Sequence, residues 1–186
     1  MIEIDYWPVF AAFTVLLVLA RICISVRRGE ICWKREFQML LVYICIVVVA
    51  RFTFFPFFKV EGKIQPLLFD PAKIFPLRIN LLPVVYLFDY PVFREALINF
   101  LGNSLMFLPL GIVWPLVFKK LDTHGKVIAA GAGTSALIEI LQLPFFDRVS
   151  DIDDLILNTT GYLAGYGIYL LVKAVKRTCK RRRGKK

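Results

Sequence analysis

Long apolar blocks separated by short charged loops dominate this chain. Each block holds roughly 18 or more mostly apolar residues, the length a helix needs to cross a hydrocarbon core of about 30 Å. The pattern predicts an all-α polytopic membrane protein with about five transmembrane helices, over residues 7–26, 37–58, 95–118, 127–143 and 155–172. Charged flanks give the helices a direction. Glu3, Asp5, Tyr6 and Trp7 lead into the first block. This acidic, aromatic flank lacks the basic start of a cleaved signal peptide, so the first helix is expected to stay, with its N-terminus outside. Arg27, Arg28, Lys34 and Arg35 make a basic loop after it, and Lys119, Lys120 and Lys126 make another after the third block. The positive-inside rule places both loops in the cytoplasm. The acidic connection between the fourth and fifth blocks then lies outside, and the C-terminus is cytoplasmic.

Between the second and third blocks, residues 59–94 carry mixed charges and five prolines: Pro66, Pro71, Pro76, Pro83 and Pro91. Prolines so placed break any long helix. Residues 79–88 are apolar but too few to span, and predict a short interfacial or re-entrant element on the outer side. The third block contains Pro109 and Pro115, which are expected to kink its helix. The fourth is thin-walled, running from Ala129 to Ala136 through Gly131, Gly133, Thr134 and Ser135, which permits close helix approach. Gly161 and Gly165 in the fifth are spaced for packing within a bundle. One helical membrane domain is expected over residues 1–172, followed by a basic cytoplasmic tail over residues 173–186. No internal repeat is evident.

Composition sharpens this picture in two places. Apolar residues make up 58% of the 186 and the mean hydropathy is +0.66, which fits a membrane protein and not a soluble domain. The formal charge of +10 points to no nucleic-acid partner, because nine of the 24 Lys and Arg lie between Lys173 and Lys186. Without that tail, 15 basic residues face 14 acidic ones. A basic tail beside a membrane suits anionic lipid instead. Cys23, Cys32, Cys45 and Cys179 fall within spans or on the cytoplasmic side, so no structural disulfide is implied. His124 is the lone histidine, an expected loop residue, which excludes His-based triads and His-rich metal sites.

Against this background one polar stretch stands out: Glu139 and Gln142, then Asp147, Arg148, Ser150, Asp151, Asp153 and Asp154, then Asn158. The topology brings Arg51, Asn80, Arg94, Asn99 and Asn103 to the same outer level. Glu139 and Gln142 share a helix face at i,i+3, as do Asn99 with Asn103 and Asp154 with Asn158 at i,i+4. Ionisable groups at membrane depth are costly and usually functional. Asp151, Asp153 and Asp154 offer hard oxygen ligands for Mg²⁺ or Ca²⁺. Arg148, Arg51 and Arg94 suit a phosphate or carboxylate head group, with Asn99, Asn103, Gln142 and Asn158 as further ligand-binding candidates. Glu139, in an apolar setting, suits acid–base work, and the three aspartates join it as catalytic candidates. The bland alternative is that these side chains are interhelical glue, at roughly 0.6–2 kcal/mol each. So many charges at one depth favour a site.

The same residues carry a resemblance. Asn99-Phe-Leu-Gly102-Asn103 through Pro109 and Gly111, then Ser135-Ala-Leu-Ile-Glu139-Ile-Leu-Gln142, then Arg148 through Asp151, Asp153 and Asp154 to Asn158 and Gly161, resemble the VanZ-like membrane proteins. Asn80-Leu-Leu-Pro83 is similar to that family's upstream motif, and the likeness covers about residues 78–170. It implies a multi-pass protein of the bacterial cell membrane, of the type associated with resistance to the lipoglycopeptide teicoplanin. It implies no particular reaction. Two expectations follow. One is a protein acting at the outer face on an envelope lipid or lipid-linked cell-wall intermediate. The other is a non-catalytic binding protein whose polar cluster is structural.

Overall fold

The computed structural model describes residues 1–55, 60–76, 78–82 and 93–183, with only the backbone course given for 93–96 and 183. The chain is mainly helical: α1 Tyr6–Arg28, α2 Trp33–Phe54, α3 Phe93–Val117, α4 His124–Gln142 and α5 Ile152–Arg183. Four of these, α1, α2, α3 and α5, are long and apolar enough to cross a membrane. α4, expected as a fifth span, is not among them: its 19 residues include Lys126, Glu139 and a run of Gly, Ala, Ser and Thr. α5 is longer than expected. It continues as helix through the basic segment, since Lys, Arg and Ala are good helix formers and no Pro or Gly interrupts them before Gly184. The apolar stretch 79–88 falls mostly outside the described residues.

The chain forms two compact units. The first comprises residues 1–81 and 137–151. Here α1 and α2 form a hairpin, and α1 ends at Gly29, whose φ of 71° is open to glycine at little cost. α1 buries no residue, and Val15, Leu16, Leu19 and Ile22 are exposed along it. Two polar contacts tie it to α2: Thr14 with the Tyr43 hydroxyl at 2.6 Å, and Arg21 Nε donating to Glu36 at 2.9 Å. Two short strand pairs were not foreseen. β1 (Ile2–Ile4) runs antiparallel to β2 (Leu67–Phe69), and β3 (Ile79–Asn80) parallel to β4 (Ser150–Asp151). Phe146 N–H donates to Leu68 O, and Asp70 N–H to Pro144 O, so the segment after α4 lies along β2. Each pairing gives partners to main-chain groups that an apolar setting would otherwise strand.

The second unit comprises residues 82–136 and 152–186. α3 and α5 cross with backbone nearly in contact. A methyl group on Gly161 would meet the Ser104 carbonyl, one on Gly165 the Leu108 carbonyl, and one on Gly111 the Tyr162 carbonyl. The Gly161/Gly165 spacing therefore serves packing inside the chain, as small-residue motifs in membranes do. Around the crossing, Phe107, Leu110, Val127 and Tyr162 are fully buried. The Tyr162 ring covers Gly131 of α4 and meets Trp114 edge-on. α3 continues through Pro109 and Pro115 as helix. His124, expected in a loop, opens α4, and its Nδ1 lies 3.0 Å from the Tyr166 hydroxyl.

Candidate functional site

The C-terminus of α2 organises the first cluster. The last carbonyls of a helix have no partner within it, and near a membrane they need donors from elsewhere. Three consecutive carbonyls at this end receive side chains. Gln142 Nε2 donates to Thr53 O at 2.6 Å, Arg148 donates twice to Phe54 O at 3.1 and 2.8 Å, and Arg51 donates to Phe55 O at 3.2 Å. The positive side chains also oppose the negative end of the helix dipole. Arg51 further stacks over the Tyr6 and Phe52 rings.

Glu139 lies one turn before Gln142 on the same face of α4. Its carboxylate is buried, 6% exposed, and accepts the Asp151 N–H at 2.9 Å, with Ser150 also bonded to it. β3 brings Asn80 beside Asp151, and the Asn80 amide donates to both carboxylate oxygens at 3.2 Å. Of the residues predicted from sequence, the first unit therefore unites Arg51, Asn80, Glu139, Gln142, Arg148 and Asp151. Asp151 sits in a strand, beside the Arg78–Ser150 main-chain bond.

The second unit holds the others. Asn103 on α3 donates to Asn99 at 3.0 Å and also bonds Asp154 on α5. Asn158 donates to Ser135 of α4 at 3.1 Å and is 1% exposed, while its Oδ1 finds no partner among the described residues. Asp153 is buried in the first turn of α5 beside Asp154, where acids oppose the helix dipole favourably. The Arg94 side chain lies outside the described residues. Among the described residues, no three His, Cys, Asp or Glu side chains gather as a metal site would require.

Sequence reasoning missed two kinds of partner. Ser135, fully buried, lies one turn from Glu139, and that i,i+4 spacing was available to find it. The Thr53 and Phe54 carbonyls carry no sequence signal, because any residue supplies a carbonyl.

Both clusters fall within a single family match. The VanZ/LLP1 family model matches residues 40–173. The chain belongs to the VanZ/LLP1 family. The matched segment begins within α2, so β1 and α1 precede it. Comparison with curated proteins and with solved structures finds no match. In this VanZ-type chain, Asn158→Leu separates scaffolding from function. Leucine fills similar space and removes a half-satisfied buried amide, so the melting temperature in detergent should shift by no more than about 1 kcal/mol equivalent. A collapse of the fold would show that the Ser135 bond is a principal tie of this unit.

Proposed function

We propose that this VanZ-type membrane protein acts at the outer face of the bacterial cell membrane, on a phosphate-bearing envelope lipid or lipid-linked cell-wall intermediate. The supporting observation is the end of α2, where Arg51 and Arg148 rest on adjacent carbonyls. Two guanidinium groups on neighbouring carbonyls suit a phosphate or pyrophosphate head. In the same unit Glu139 is a buried carboxylate with main-chain support, the kind of group that can take or give a proton at a bound head group. Asp151, bonded to Asn80 in the same unit, supplies further oxygens. A Mg²⁺ or Ca²⁺ ion would take this carboxylate together with the ligand's own phosphate oxygens. Altering such a lipid would change the surface that teicoplanin meets, which makes susceptibility to that drug the phenotype to measure.

A second reading has its own support. The Asn103–Asp154, Asn158–Ser135 and Gln142–Thr53 contacts each tie one segment to another, as polar glue does. The protein would then be a non-catalytic membrane partner that limits drug access. Glu139→Gln and Asp153→Asn, in protein that still inserts and melts normally, separate the two. The first reading expects loss of teicoplanin protection or lipid turnover. Full function in both variants sinks it, while function falling only in step with stability supports glue.

The orientation has a separate test. In a background where the four native cysteines are serine, Asp147→Cys should react with an impermeant thiol reagent on intact cells, and Lys120→Cys should not. The opposite pattern would move the polar loop to the cytoplasm.

A further inference from the structure

Two cavities in the first unit share one wall, the Tyr6 ring. The first, about 170 Å³, lies between α1 and α2 and is lined by Phe10, Phe13, Ile46, Val47 and Ala50 with no charged side chain. An apolar cavity of about 150 Å³ stays dry and accepts an apolar guest, so this one has room for several chain carbons. The second, about 450 Å³, is lined by Asp5, Trp7, Gly62 and Lys63. It has one carboxylate, one ammonium and an aromatic rim.

The order along α1 gives the pair its meaning. Tyr6 and Trp7 begin the apolar helix, and such aromatics favour the membrane–water interface. Phe10 and Phe13 lie one and two turns deeper, among the chains of the bilayer. The polar cavity thus stands at head-group level and the apolar one below it, which is the division of an amphiphile. Both walls are fixed. Tyr6 packs on Phe55 at 5.2 Å between ring centres and carries the Arg51 guanidinium at 5.6 Å. Lys63 ends a tight turn closed by two Val60–Lys63 main-chain bonds of 3.0 and 2.9 Å, with Glu61 and Gly62 at φ of 51° and 76°. That is the geometry of a two-residue hairpin loop.

We infer that this site binds one bilayer phospholipid with a phosphoethanolamine-type head, its phosphate at Lys63, its ammonium at Asp5, and one acyl chain in the slot between α1 and α2. The opposed charges select such a head over phosphatidylglycerol or an isoprenyl phosphate, which carry no ammonium. The inference requires the chain to sit in a membrane, and it is independent of the chemistry proposed for Glu139.

Native mass spectrometry tests it on the full-length chain, released from micelles holding equal amounts of dioleoyl phosphatidylethanolamine, dioleoyl phosphatidylglycerol and a long-chain isoprenyl phosphate. One phosphatidylethanolamine should be retained in preference. Lys63→Glu and Asp5→Lys should each cut that retention by about fivefold or more, and Ala50→Phe, which fills the slot, should do the same. Lys63 is on an exposed turn, so its variant decides if Ala50→Phe does not fold. Equal retention of the three lipids overturns the head-group assignment. Unchanged retention in Lys63→Glu overturns the site.

Discussion

Gly161→Ala is expected to destabilise the protein by about 3 kcal/mol or more, at the top of the usual range for overpacking. The added methyl would run into the Ser104 carbonyl oxygen, with its carbon and Cα close behind. A side chain could turn away, but a helix backbone cannot. α3 and α5 would have to separate, and the contacts of Phe107, Leu110 and Tyr162 would go with them. In a membrane no water-driven force restores a loosened crossing, because lipid tails are as apolar as the side chains they replace. Gly165→Ala meets the Leu108 carbonyl in the same way. Gly167→Ala is the control. It lies on the same helix with nothing within 4 Å of the new carbon, so alanine should be neutral or stabilising by up to about 1 kcal/mol. Thermal unfolding in detergent reads all three, and equal melting points for Gly161→Ala and Gly167→Ala would refute the tight crossing.

Under the proposed proton-transfer role, Glu139→Gln is expected to lower lipid turnover by about 10²- to 10⁴-fold, the usual contribution of a group that moves a proton, while leaving the fold intact. The carboxamide oxygen can still accept the Asp151 N–H, so β4 keeps its anchor. What is lost is the negative charge and the capacity to take and give a proton. Arg148→Met should cost stability as well as binding of the proposed head group. It leaves the Phe54 carbonyl without its two guanidinium donors, at a cost of about 1–3 kcal/mol, and its defect should appear first as a lower melting temperature. Lipid turnover in membranes and teicoplanin susceptibility of complemented cells, each beside a melting curve, separate the two variants. If Glu139→Gln is as active as the parent, proton chemistry at that position is ruled out.

Arg148 shows how far the sequence could be read. Its charge, its place beside an acidic loop and its role as a candidate were legible, but its main-chain partner at Phe54 was not. Arginine so near Asp147 and Asp151 reads naturally as a partner of carboxylates. The demand of a helix end for donors is invisible in residue types, since it belongs to the backbone. The same reason hid β3 and β4. Two residues on each strand carry no periodicity, yet they set Asn80 against Asp151. Gly161 and Gly165 lay at the other extreme. Their spacing announced a close crossing, and the structure supplied α3 as the partner.

The sequence alone determined that the chain is a helical membrane protein, roughly where its long helices run, and which polar side chains interrupt them. Those properties follow from local length and hydropathy, because a bilayer imposes one dimension on every segment that crosses it. Only the tertiary structure decided how the polar residues are divided. Arg51, Gln142 and Arg148 gather around the end of α2, Asn80, Glu139 and Asp151 bond one another in the same unit, and Asn99, Asn103, Asp154 and Asn158 tie α3, α4 and α5. That division rests on strand register and orphaned carbonyls, which arise between segments distant in the chain and leave no mark in any one of them.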